Sequence, residues 1–198
     1  EAIDSKAIPA SEIEIDRLRG LQSHKDAAIR GHAERVLASV AVPRGGRAEV
    51  IKLYQAATTL GGNVENGRAV FQKTCSTCHR AGGLGVDVGP DLATVTGRST
   101  DDLLMHILDP NREVAPNYVN YNVALIDGRT VSGLIAAESA ATLTLKRAEG
   151  VTEDVPRNQV EAIASTGLSL MPEGLEQGLS PQDLADLMAF LKSSLPAK

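Results

Sequence analysis

The chain has 198 residues, of which 42% are hydrophobic and only 3% are aromatic, with no tryptophan. No apolar run approaches the roughly 20 residues that a membrane helix requires, so we predict no membrane span. The formal net charge of -5 argues against a nucleic-acid partner. The chain begins at Glu1 without an initiator methionine or a signal peptide, so we expect a mature form or a portion of a longer protein.

Residues 1–60 are predicted to be helical. Ser11 and Glu14 have the spacing of a capping box. Apolar residues then recur with a helical period over residues 27–40 and again over residues 50–60. Two or three amphipathic helices of this kind resemble a HEAT-like pair, and a linker or packing helix is the plainer interpretation.

A domain boundary is predicted near Gly61-Gly62, where the helical pattern stops. Residues 1–60 carry nine basic and eight acidic side chains, whereas residues 61–198 carry 11 and 17. The step in charge and the pair of glycines coincide. We therefore divide the chain into residues 1–60 and residues 61–198.

Three helices are predicted in the second part. The first covers residues 65–74 and the second covers residues 99–109. The last begins at Ser180-Pro181, because a cap residue followed by proline is typical of a helix start. Residues 80–98, between the first two helices, are rich in glycine and are predicted to form a loop.

An inserted, small antiparallel sheet is predicted over about residues 118–163. Apolar side chains alternate with polar or small ones on both sides of Asp127-Gly128, which indicates a hairpin. Leu143 and Leu145 indicate a third strand, and residues 151–155 indicate a fourth. Because the pattern predicts helices and loops in the rest of the chain, the predicted fold class is mainly α.

The only two cysteines, Cys75 and Cys78, are followed at once by His79. The sequence C-x-x-C-H is the attachment site of a c-type haem. One turn of chain lets the two thiols reach the two vinyl positions of the macrocycle, and the adjacent imidazole then lies under the iron as its proximal ligand. One covalent haem also explains how a chain with two phenylalanines and no tryptophan builds a core.

Three other uses of the motif are weaker. A structural zinc site needs four ligands, and only three lie here. A thioredoxin-like redox pair expects a βαβ context, but this pair ends a short helix and enters a glycine-rich loop. A simple disulfide leaves His79 unexplained.

Several further residues accompany the cysteine motif at characteristic places. They are Gly67 and Phe71 before it, Gly89-Pro90-Asp91-Leu92 and Met171-Pro172 after it, and Phe190 in the last helix. With these residues, positions 61–198 resemble a class I cytochrome c domain.

A narrower resemblance rests on a second set of stretches. These are Leu108-Asp109-Pro110-Asn111, Tyr118, Asp127-Gly128-Arg129, residues 169–175 and Leu179-Ser180. In them the chain is similar to the C-terminal haem-binding domain of large bacterial dehydrogenase-like proteins, in which HEAT-like helices precede a cytochrome domain.

The resemblance implies a cytochrome c helical fold around one covalent haem. Cys75 and Cys78 would form the thioether bonds, and His79 would bind the iron. The carbonyl of Pro90 would accept a hydrogen bond from the second nitrogen of His79 and fix its tautomer. Gly67 would let the first helix of this domain cross the last one closely.

The spacing of the motifs departs from that of a compact class I domain. Met171 lies 92 positions after His79, and the predicted insert accounts for the distance. The insert leaves open which residues cover the haem edge and the propionates. Arg98 and Arg112 are candidate propionate partners, because a fork of donors suits a carboxylate; solvated surface arginines are the plainer interpretation.

Met171 is the predicted distal iron ligand. It lies in residues 164–179, a predicted loop without the apolar pattern of a helix, so packing does not explain a lone methionine there. Its thioether is a soft ligand that suits haem iron. Met188 falls in the apolar stripe of the last helix and is assigned to the core. Met105 or His106 on the second helix, or an open site, remain as alternatives.

These residues predict one-electron transfer through a haem with His/Met ligation, relaying electrons from a dehydrogenase domain or partner and without catalytic residues of its own. The alternative is a haem with a displaceable distal ligand that binds a small molecule or acts as a peroxidase. A third hypothesis is a binding module, in which the helices or the inserted sheet bind a partner and the haem only stabilises the fold. The expected location is periplasmic or otherwise extracytoplasmic. The insert contains no Cys, His or Met, so we expect it to modify haem access or partner docking.

Overall fold

The computed structural model describes Leu21 and residues 24–40 and 47–194. The predicted capping box at Ser11 and Glu14 lies outside the described residues. Two helices are seen before the glycine pair, α1 (Ala27–Val40) and α2 (Arg47–Tyr54), and α2 continues into a short 3-10 helix. Among the described residues, no helix is long and apolar enough to cross a bilayer.

Three helices belong to the second part: α3 (Val64–Thr74), α4 (Thr100–Leu108) and α5 (Pro181–Ser193). Each begins at a side chain that accepts a hydrogen bond from a backbone N–H without an intrahelical partner, namely Asn63, Ser99 and Ser180. At α5 the carboxylate of Asp183 also accepts from the backbone N–H of Ser180, at 2.8 Å. The predicted start of the last helix is confirmed.

Helices α3 and α5 cross closely at Gly67. A Cβ at this position would overlap with the backbone carbonyl of Asp186 and would lie 2.9 Å from Cβ of Phe190. One turn further along α3, the ring of Phe71 lies 5.4 Å from that of Phe190. The predicted close crossing is confirmed, and Met188, 1% exposed, lies in the core beneath it.

Two antiparallel sheets follow the cysteine motif. The first is a short hairpin of β1 (Arg80–Ala81) and β2 (Leu84–Gly85). The second has five strands in the order β6-β5-β4-β3-β7: β3 (Val119–Leu125), β4 (Thr130–Glu138), β5 (Thr142–Lys146), β6 (Thr152–Pro156) and β7 (Val160–Ser169). The predicted turn at Asp127-Gly128 joins β3 to β4.

The predicted fold class, mainly α, is wrong. Alternate apolar side chains from four neighbouring strands build a second hydrophobic core, separate from that of the helices. Its buried members are Val123, Leu125, Val131, Leu143, Leu145 and Val155. Because the sheet has a contiguous core of its own, it is not a small addition to a helical domain. The chain combines a helical part with a five-stranded antiparallel sheet.

The last strand, β7, is not predicted by the sequence. It runs into residues 164–179, which were expected to form a loop, and carries the sheet to Ser169. Much of β7 is exposed and its pattern is not clearly apolar, because it lies at an edge of the sheet. Its pairing with β3 sets Val119 opposite Ser169. The two ends of the sheet segment therefore lie side by side.

Candidate haem site

The cysteine motif occupies the turn that follows α3. The backbone N–H groups of Cys78 and His79 donate to the carbonyl of Cys75 at 3.1 and 2.9 Å, so the motif forms one compact turn. The chain reverses through β1 and β2, and the N–H groups of Val88 and Gly89 then donate to the carbonyl of Cys78 at 3.0 and 2.6 Å. The returning chain thus holds the turn in place.

His79 is only 9% exposed, and its Nδ1 donates to the carbonyl oxygen of Pro90 at 2.9 Å. With the proton on Nδ1, the lone pair of Nε2 is free, and no described residue forms a hydrogen bond with it. Burial lowers the pKa of His79, while the bond to Pro90 acts in the opposite direction. The imidazole is therefore neutral at neutral pH, which is the form that binds iron.

The two thiols of the motif are half-buried and are not joined in a disulfide. Burial raises the pKa of Cys75 to about 12, with a smaller contribution from Cys78, and burial also raises the pKa of Cys78. A redox-active dithiol needs a lowered thiol pKa, so these shifts argue against the thioredoxin-like alternative. Two neutral thiols beside one neutral imidazole are a donor set that fits a c-type haem.

Gly89, which belongs to the Gly89-Pro90 stretch named above, also lies directly against the imidazole of His79. A Cβ at Gly89 would overlap with Cε1 of His79 and would lie 2.8 Å from Nδ1. Only glycine lets the chain pass this close to the imidazole and present the carbonyl of Pro90 to it. The signal in the sequence is the Gly-Pro pair a short distance after the motif.

Met171 lies half-buried in the loop between β7 and α5. Its backbone N–H donates to Oγ of Ser169 at 3.1 Å. The side chain of Asn111 accepts from the backbone N–H of Ser169 at 2.9 Å and donates to the carboxylate of Glu173. The loop is thus fastened on both sides of the methionine. Its role as distal ligand stays a prediction.

The other candidates for the distal position have different surroundings. Met188 is buried in the helical core. His106 lies on α4 with its side chain 39% exposed, and its Nε2 is 3.3 Å from the carboxylate of Asp102. Met105, on the same helix, is half-buried. Of these three residues, Met188 packs in the core and His106 contacts Asp102 at the surface.

The two arginines proposed for the propionates also differ. Nη1 of Arg98 lies 2.6 Å from the carboxylate of Asp102, on the surface. Arg112 lines a cleft of about 250 Å³ whose walls include Arg47, Asp109 and Glu173, beside the loop that carries Met171. Their role as propionate partners stays a prediction for both.

The sheet touches the cysteine motif through the β5–β6 turn, which comprises residues 147–151. The backbone N–H of Glu149 donates to the carbonyl of Thr77 at 2.6 Å. At the end of β5, just before the turn, Nζ of Lys146 lies 3.7 Å from the carboxylate of Asp87, which follows β2. No pattern in the sequence identifies these contacts, because each joins segments that are far apart along the chain.

A compact turn with two thiols, one oriented imidazole and a core of packed helices defines a c-type haem-binding protein. Comparison with known families agrees: the model of the family described as Cytochrome c matches residues 64–194, about two thirds of the chain. The chain therefore belongs to the cytochrome c family. None of the curated proteins compared with it gives a match.

Membership in the family establishes the coarse chemistry of the chain. It carries a covalently attached c-type haem with its iron, and it is an electron-transfer module that works with redox partners. In bacteria, domains of this family are typically extracytoplasmic.

Proposed function

We propose that the chain carries single electrons on a haem bound through Cys75 and Cys78, with His79 as proximal and Met171 as distal iron ligand. The observation that carries this proposal is the hydrogen bond from Nδ1 of His79 to Pro90, at 2.9 Å. It fixes the tautomer in which Nε2 is free to bind metal. With His/Met ligation, a haem iron has a raised reduction potential, which suits an electron carrier.

The protein side chains supply orientation and a dry environment. The carbonyl of Pro90 increases the basicity of the His79 imidazole by accepting its Nδ1 proton. Phe71 and Leu104, both fully buried, exclude water from the helical core next to the motif. Arg98 and Arg112 are our candidates for the propionates, and Arg98 would share its guanidinium with Asp102.

We assign to the sheet a role in access to the haem edge. The support comes from the β5–β6 turn, because the bond from Glu149 to Thr77 sets this turn directly against the C-x-x-C-H loop. A partner that approaches this side of the motif meets the sheet before it meets the motif. The sheet would thereby select partners without contributing a ligand.

We further propose that the electrons come from a dehydrogenase domain or partner in the periplasm. This proposal is supported by the resemblance of the segment around Asn111, Tyr118 and Met171 to haem domains of large dehydrogenase-like proteins. Reading the gene upstream of the codon for Glu1 tests it. A dehydrogenase domain in the same frame, or encoded in the adjoining gene, is expected.

The optical spectrum of the reduced protein with and without CO tests the central proposal. With Met171 bound, the distal position is closed, and the spectrum should be unchanged by CO. A prompt shift of the absorption bands would show a free or readily displaced position. That result would favour the small-ligand or peroxidase alternative instead.

A further inference from the structure

The loop that carries Met171 has little regular structure of its own. Between β7 and α5 it contains the 3-10 helix Leu175–Gly178 and no other helix or strand, and all of its residues are described. A segment with few internal hydrogen bonds opens easily unless other parts of the chain hold it. Here distant residues do so, chiefly Arg47 and Asn111.

Arg47 holds the downstream half of the loop from helix α2. It is 3% exposed, and its Nη1 and Nη2 donate to the two carboxylate oxygens of Glu176 at 2.8 and 3.0 Å. Nη2 also donates to the carbonyl of Leu108 at the end of α4. At the other end of α2, the hydroxyl of Tyr54 lies 2.9 Å from the backbone carbonyl oxygen of Glu176 and 3.1 Å from that of Leu179. The bidentate, charge-assisted contact between Arg47 and Glu176 belongs to the strongest kind that side chains form.

Asn111 holds the upstream half. Its Oδ1 accepts from the backbone N–H of Ser169 at 2.9 Å, and its Nδ2 donates to the carboxylate of Glu173. The two contacts lie two residues before and two residues after Met171. One amide side chain therefore spans the methionine and sets the width of the loop around it.

We propose that Arg47 and Asn111 are positioning residues for the distal ligand, and that α2 determines how often the distal position opens. The inference rests on the proposed role of Met171. Helix α2 lies outside residues 64–194, the part that matches the cytochrome c family. Loss of Arg47 leaves the carboxylate of Glu176 buried without its partner, and the loop relieves this by moving outward.

The test uses the ferric holoprotein and imidazole as the competing ligand, followed by stopped-flow absorbance. At saturating imidazole the rate levels off at the rate of loop opening. Arg47→Met should raise this plateau on the order of tenfold, since it removes charge-assisted hydrogen bonds. Arg129→Met is the matched control, because Arg129 is exposed and pairs with Asp127 in the β3–β4 turn. It should leave the plateau unchanged.

An exchange of partners separates positioning from a general loss of stability. Asn111→Asp keeps the acceptor for Ser169 but loses the donor to Glu173, and should raise the opening rate. Adding Glu173→Gln restores the hydrogen bond with donor and acceptor exchanged. The double variant should return the opening rate and the reduction potential toward those of the wild-type protein.

The outcomes distinguish this inference from the proposed ligation. If Arg47→Met and Asn111→Asp open no faster than Arg129→Met, the positioning role is wrong although Met171 stays the ligand. If Arg47→Met does not retain haem, Tyr54→Phe tests the role of α2 in its place, because it removes the hydroxyl that contacts the carbonyls of Glu176 and Leu179. An opening rate equal to that of the wild-type protein would then contradict the role of α2, and the Asn111 and Glu173 exchange tests Asn111. If the wild-type protein shows no plateau and Met171→Ala binds imidazole at the same rate, the proposed ligation fails, and the positioning role fails with it.

Discussion

The backbone N–H of Glu149 lies 2.6 Å from the carbonyl oxygen of Thr77, so the five-stranded sheet rests on the middle of the C-x-x-C-H motif. Glu149 has a φ of +62°, the left-handed conformation that side chains other than glycine rarely adopt. Such a conformation costs about 1–2 kcal/mol. The contact is formed in spite of this cost, which indicates that the β5–β6 turn is held tightly on the loop.

Glu149→Pro should loosen the cysteine motif, because proline has no N–H to donate and cannot adopt a positive φ. The amides of Val86 and Val88 donate to the carbonyls of Ser76 and Cys78 in the motif. The loss of a hydrogen bond worth about 1 kcal/mol should speed hydrogen exchange at these two amides roughly fivefold. Glu149→Gly is the matched control, since it keeps the N–H and tolerates the conformation. Equal exchange rates in the two variants would show that the contact does not hold the loop.

Gly67→Ala should destabilise the protein by about 3 kcal/mol, since overpacking of a close contact costs this much. The added methyl group would overlap with the carbonyl of Asp186 where α3 crosses α5. Gly61→Ala is the control, because a Cβ at Gly61 has no neighbour within 4 Å among the described residues. Denaturant unfolding of both variants measures the difference. Equal free energies of unfolding would contradict the close crossing.

Acid should weaken the contact between Arg47 and Glu176. Burial is the largest single influence and disfavours the charged form of Glu176, but the hydrogen bonds from Arg47, a backbone hydrogen bond and the charge of Arg47 together outweigh it and lower the pKa of Glu176. A carboxyl whose pKa is lowered in the folded state stabilises the fold at pH values above its unfolded pKa of about 4.3. This contribution is lost as the pH falls through the lower pKa of the folded state.

The Glu176→Gln variant measures this contribution. At neutral pH it should lower the free energy of unfolding by about 3 kcal/mol, because Arg47 is left buried without an opposite charge. The difference from the wild-type protein should narrow as pH falls below about 4. The exposed Glu161→Gln should stay within about 0.5 kcal/mol of wild type at neutral pH. A difference for Glu176→Gln that is the same at every pH would contradict the charged pair.

Replacing residues 120–168 by the dipeptide Asn-Gly should leave a protein that still attaches haem. Val119 and Ser169 are paired across β3 and β7, so a two-residue turn can join them. The buried residues of the helical core include none from the sheet. Haem-specific staining after denaturing electrophoresis measures attachment, with the full chain as reference. A product without covalent haem would show that the helices depend on the sheet.

Features that depend on neighbouring residues were predictable from the sequence. The cap at Ser180 and Asp183 needs residues three positions apart, and the β3–β4 hairpin needs only Asp127-Gly128 between alternating strands. The C-x-x-C-H motif is likewise local, and it identifies the cofactor without knowledge of the fold. In each case the physical cause and the signal lie within a few residues.

Features that depend on distant residues were not predictable. Arg47 and Glu176 are 129 positions apart, and nothing in either local sequence indicates the other. The sheet was expected to be small because β7, whose pairing with β3 completes it, has a weak pattern of its own. The Gly89-Pro90 pair could be recognised in the sequence, but the close approach of Gly89 to the imidazole of His79 depends on how the chain folds back. The prediction of a mainly α fold failed because the sheet builds its own core from strands that are distant from one another along the chain.

The most direct test of the account compares the absorption spectra of the ferric Met171→Ala and Met105→Ala proteins. A thioether bound to ferric haem iron gives a weak charge-transfer band in the red, which disappears when that ligand is removed. We expect Met105→Ala to keep this band and Met171→Ala to lose it and, once reduced, to bind CO. A Met171→Ala protein that keeps the band, with loss of the band in Met105→Ala, would contradict the assignment of Met171 as the distal ligand.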